Sequence, residues 1–110
     1  MRFILLTAFL LFSPSNVLVS DSNTEVSDVV VLQINAKWNK HHNLDLKQLK
    51  GCKVNFGWLE DQPQSLRSQI QTVPVIVIFK NNEPKRQWAA DLSFKLDVDL
   101  KEIQNVVNTL

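Results

Sequence analysis

At 110 residues, with 45% hydrophobic and 21% charged side chains, the chain has room for one domain and too little length for two. A formal net charge of +1 excludes the strongly basic surface that nucleic acid or an anionic membrane requires. One cysteine, Cys52, excludes an internal disulfide, so a thin core must hold the fold; in an exported chain such a thiol is buried, paired between molecules or reactive.

The chain opens on Arg2 and a run of apolar character over residues 3–12, broken by Ser13, Pro14 and Asn16. A basic start, a short apolar core and a small-residue end form the pattern of a secretory signal peptide. The run is shorter than the about 20 apolar residues an untilted membrane span needs. The expected division is a signal peptide over 1–20, cut after Ser20, a polar linker over 21–27 and a domain over 28–110. The protein would then be secreted or periplasmic, with no stable membrane span after cleavage. An uncleaved N-terminal anchor is the alternative. Without Arg2, basic and acidic side chains balance at eleven each.

The domain should begin with a strand over 28–35, DVVVLQIN, whose unbroken β-branched run suits burial on both faces of a parallel sheet. NLDLKQLKG then predicts a helix, with Asn43 as cap, Leu46 and Leu49 at helical spacing and Gly51 as stop. CKVNFGWLE alternates Val54, Phe56 and Trp58 on one face of a second strand. QPQSLRSQI predicts a short helix with Pro63 in its first turn. Pro74 stands directly before a strand from Val75 to Phe79, where a residue without an N–H is tolerated at the strand's first position. Asn81 and Asn82 suit a tight hairpin turn into KRQWAA. DVDLKEIQNVVNTL closes the chain as an amphipathic helix, with Leu96, Leu100, Ile103, Val107 and Leu110 on one face. Asp99 and Glu102 stand at capping-box spacing.

The order β-α-β-α-β-β-α, with a proline opening the third strand, resembles the thioredoxin-like family. QINAKWN, residues 33–39, resembles that family's first core strand running into its active-site turn, with Ala36 and Trp38 in the flanking positions. IQTVPVIVIFKNNEP resembles the segment that carries the family's cis-proline, here Pro74, although Val75 stands where threonine usually follows. The resemblance implies an α/β, three-layer core: a four-stranded mixed sheet with helices on both faces. It also implies that the Val73 backbone, beside the active-site loop, pairs with an extended peptide.

The family reduces disulfides through Cys-x-x-Cys directly after the tryptophan, by a low-pKa thiolate and a resolving thiol. Here Asn39 and His42 take the places of those cysteines, and Gln33 the place of a buried aspartate. Ordinary oxidoreductase chemistry should therefore be missing, with no catalytic residue, cofactor or metal expected. His41 and His42 are adjacent and lack the i, i+4 spacing that suits chelation on a helix, so solvated histidines are expected there. What remains is a non-catalytic binding module whose edge is formed by Trp38, Asn39, His41, His42, Val73 and Pro74. Its partner would be an extended polypeptide or another exported protein. Two alternatives stand: a thiol enzyme using Cys52, and a structural assembly subunit. The short helix after the site leaves apolar sheet surface that a homodimer could cover.

Overall fold

The computed structural model describes residues 16–23 and 26–110, so most of the expected leader lies outside the described residues. The fold is α/β, a five-stranded mixed sheet with few helices. Strands β1 (Asp21–Ser22), β2 (Val29–Asn35), β3 (Lys53–Trp58), β4 (Val75–Lys80) and β5 (Glu83–Ala89) lie in the order β1-β3-β2-β4-β5. β2 and β3 run parallel, with Val30 opposite Lys53 and Asn35 opposite Trp58. β4 runs antiparallel to β2, and β5 antiparallel to β4.

Side chains alternate across a strand, so each of β2 and β4 feeds two cores. On one face Val29, Val31, Ile76 and Ile78 meet Ile103 and Val107 of helix α2 (Leu100–Asn108). On the other Leu32, Ile34, Val77 and Phe79 meet Leu66 of helix α1 (Gln64–Arg67). This two-sided burial is why both strands read as continuous apolar runs rather than alternating ones. Asp99 caps α2, its carboxylate accepting from the Glu102 N–H at 2.8 Å. Asn81 and Asn82 both adopt positive φ, 52° and 68°, at the β4–β5 turn. The Val73–Pro74 peptide bond is cis.

Two expectations about the fold are corrected. The sheet has five strands rather than four, because β1 joins the outer edge of β3 antiparallel, with Asp21 opposite Phe56. The linker expected over 21–27 therefore starts inside the sheet. The last residues of the expected leader also belong to the fold: Val17 is buried in the α1-side core, and the Ser20 N–H donates to the Phe56 carbonyl at 2.9 Å.

The second correction concerns the helix expected after Asn43. Residues 43–50 form no helix, and the helical turns fall earlier, in a 3-10 segment Lys37–His42. Leu46 and Leu49 are buried as their spacing suggests, but through a turn closed by the Leu49 N–H on the Leu46 carbonyl at 3.1 Å. The physical reason is tertiary. The buried Gln33 amide holds both backbone groups of Leu44, donating to its carbonyl at 2.8 Å and accepting from its N–H at 2.9 Å. The Leu44 carbonyl is the acceptor that the first turn of a helix starting after Asn43 would need, and Gln33 already occupies it.

Candidate functional site

The 3-10 segment follows directly on the carboxyl end of β2, with Ala36 between them still extended at φ −97° and ψ 149°. Its start is anchored by the Glu60 carboxylate, which accepts the Lys37 N–H at 3.0 Å. Asn39 breaks the helical geometry, at φ −114° and ψ 18°, and points its amide inward. It is buried, at 2% exposure, where a residue after a surface tryptophan would be expected to meet water.

Around Asn39 the side chains form a chain of amides, each donating to the next. His42 Nδ1 lies 2.9 Å from Asn39 Oδ1; Asn39 Nδ2 donates to Asn35 Oδ1 at 3.0 Å; Asn35 Nδ2 donates to Asn43 Oδ1. Asn39 Nδ2 also reaches two carbonyls, Phe94 at 3.0 Å and Val73 at 3.3 Å. Both atoms facing His42 Nδ1 are pure acceptors, Asn39 Oδ1 and the Phe94 carbonyl at 2.9 Å, so this nitrogen carries a proton.

Phe94 belongs to the segment between β5 and α2 and holds a positive φ of 60°. That conformation is uncommon for a bulky residue and is sustained here by contacts at both its ends. Its carbonyl takes part in the amide chain, while its ring meets Trp38 edge to face, centroids 5.1 Å apart. The turn leading to Phe94 is built by Asp91, which accepts both the hydroxyl and the N–H of Ser93; these bonds hold its carboxyl below the usual aspartate range.

Of the residues singled out from sequence, the structure brings Trp38, Asn39, His42 and Val73 into one neighbourhood but gives them different surfaces. Trp38 is 60% exposed; Asn39, Val73 and Pro74 are buried. Because the Val73 carbonyl accepts from Asn39, the reachable rim consists of Trp38, exposed His41, half-buried His42 and Phe94. The His41 and His42 rings lie against each other, centroids 4.2 Å apart. Sequence reasoning missed Phe94 and Asn35; the only local signal was the excess of amides over 33–43. Among the described residues no group of three or more His, Cys, Asp or Glu gathers as a metal site would require.

Cys52 is fully buried in the α2-side core. It precedes Lys53, which pairs with Val30, whereas the amide chain starts at Asn35. Five residues of strand separate the two ends by about 17 Å. Trp58, half-buried, meets Phe56 edge to face at 4.7 Å and lines a cleft of about 560 Å³ between β3 and residues 43–47. No helix among the described residues is long and apolar enough to cross a membrane. No protein-family model matches the chain, and no curated protein matches it in sequence.

Proposed function

We propose that this chain is an exported, thioredoxin-like domain that lacks thiol chemistry and binds extended polypeptide across the rim of the site. The fold part of this reading is supported by the strand order: a parallel β2–β3 pair beside an antiparallel β4–β5 hairpin, with helices packed on opposite faces. Asn39 and His42, at the positions the resemblance gives to the cysteines, are joined to each other and to Phe94 rather than presented as nucleophiles. The sole cysteine is buried at the other end of β3, which speaks against a thiol enzyme.

The observation that carries the binding reading is Trp38. A tryptophan 60% exposed, yet held against Phe94 by a ring contact, offers a large apolar surface already fixed in orientation. Such a surface loses little freedom on binding, and rigid aromatics supply most of the energy at protein interfaces. Calorimetric titration with a permanently unfolded, S-carboxymethylated protein tests it. Trp38→Ala should weaken binding about thirtyfold, the loss of an aromatic anchor of about 2 kcal/mol. Lys85→Ala, on the far hairpin, should leave affinity unchanged. Equal affinity of Trp38→Ala and wild type would refute the rim as the binding edge.

Reduction of a protein disulfide by dithiothreitol should proceed at its uncatalysed rate in the presence of the protein. Acceleration that vanishes in Cys52→Ser would instead establish thiol catalysis.

A further inference from the structure

We propose that the exported chain is cut after Ser15, so that the mature protein begins at Asn16 and retains residues 17–23 as a structural strap. The inference rests on the reading of residues 3–12 as the apolar core of an export leader. It moves the cleavage site five residues upstream of Ser20, on two independent grounds.

The first is what residues 17–23 do. Val17 is buried, at 6% exposure, beside Leu32, Ile34 and Leu66. Leu18 is held by both atoms of the Gln62 amide: its N–H donates to Oε1 at 2.9 Å, and its carbonyl accepts from Nε2 at 2.9 Å. Gln62 is itself only 3% exposed, and its third bond goes to the Trp58 carbonyl at 2.8 Å. Beyond Leu18 the strap pairs with β3 through the Ser20 N–H on Phe56, through β1, and through the Asn23 N–H on Val54 at 3.0 Å. Gly57 lies where the strap crosses: a Cβ there would stand 2.8 Å from the Leu18 carbonyl. A cut after Ser20 would strip Gln62 Oε1 of the Leu18 N–H and open the core where Val17 sits. Buried polar groups left without partners are costly, so the strap reads as part of the folded product rather than of a discarded leader.

The second ground is the peptidase's own requirement for small residues one and three positions before the cut. Between Phe12 and Ser20 the pair Ser13 and Ser15 meets it, and no other pair does; a cut after Ser20 would place Leu18 at the third position.

The full chain, expressed in a secreting bacterial host, gives the test by N-terminal sequencing and intact mass of the exported protein. The expected product begins at Asn16. Ser15→Trp should abolish that product, whereas Ser20→Trp should leave the cut where it is. A wild-type product beginning at Asp21 would overturn the inference while leaving export standing. Exported protein that still begins at Met1 would overturn the cleaved-leader reading and the inference with it. Blockage of processing by Ser20→Trp but not by Ser15→Trp would restore the cut at Ser20.

Discussion

Asn39→Ala should lower the stability of the protein by about 3 kcal/mol, which is one of the largest losses a single polar substitution can cause here. The truncation leaves Asn35 Oδ1 and the Val73 carbonyl without their amide donor, and both residues are buried, at 0% and 2% exposure. Each buried acceptor left unpaired costs about 1–3 kcal/mol. In a domain of this size that corresponds to a fall in melting temperature of about 15 °C. Asn39→Asp should lose more, because it sets a carboxylate against the Val73 and Phe94 carbonyls that now accept from Nδ2. Urea unfolding of the three proteins measures this, and a loss under about 0.5 kcal/mol in the alanine variant would mean that water replaces the amide without cost. The effect should reach the rim as well. With Asn39 gone the Phe94 carbonyl keeps only His42, so the residue whose ring meets Trp38 loses one of its anchors.

Gly57→Ala should cost about 2 kcal/mol although it adds a single methyl group near the end of β3. The added Cβ would meet the Leu18 carbonyl at 2.8 Å, Gln62 Nε2 at 3.0 Å and Val17 Cγ1 at 3.3 Å. A flexible side-chain tip could turn away, but the Leu18 carbonyl is backbone tied to Gln62, so relief requires lifting the strap. Gln62→Ala loosens the same strap from the other side. The two substitutions should therefore be non-additive, the double variant losing less than the sum of the single ones. Full additivity in urea unfolding, or a neutral Gly57→Ala, would show that residues 17–20 are not held as described.

The parts of the fold legible in the sequence are those whose cause is local. The β-branched runs of β2 and β4, the Asn81–Asn82 turn and the Asp99 cap each carry their own geometry in adjacent residues, and each forms as read. The helix expected after Asn43 fails because its cause was overridden from a distance: Gln33, eleven residues earlier, claims the Leu44 backbone. Leucine spacing alone could not register that competition, since Leu46 and Leu49 end up buried in either arrangement. The strap was illegible for a related reason. Residues 16–20 look like the tail of a leader, and the groups that fix them, Phe56 and Gln62, lie about forty residues downstream. At the site, that Asn39 and His42 lie near Trp38 could be read from their closeness in the chain. That Asn39 is buried could not, because its partner Phe94 is 55 residues away and is held at a positive φ that nothing in its own sequence demands.

The strap also decides how the sheet ends. An outermost strand presents a row of unpaired N–H and C=O groups, on which a second chain can grow a fibre. β5, at one end of the sheet, carries Pro84, which has no N–H to offer, followed by the charged Lys85 and Arg86. β3 carries only Lys53, at its very start, as such a guard: Val54, Phe56 and Trp58 alternate along the rest, and its outward carbonyls at Val54 and Phe56 are occupied by Asn23 and Ser20. Any processing or truncation that removes residues 17–23 would thus convert β3 into a bare aromatic edge. Colloidal behaviour, and not only folding free energy, hangs on a seven-residue stretch.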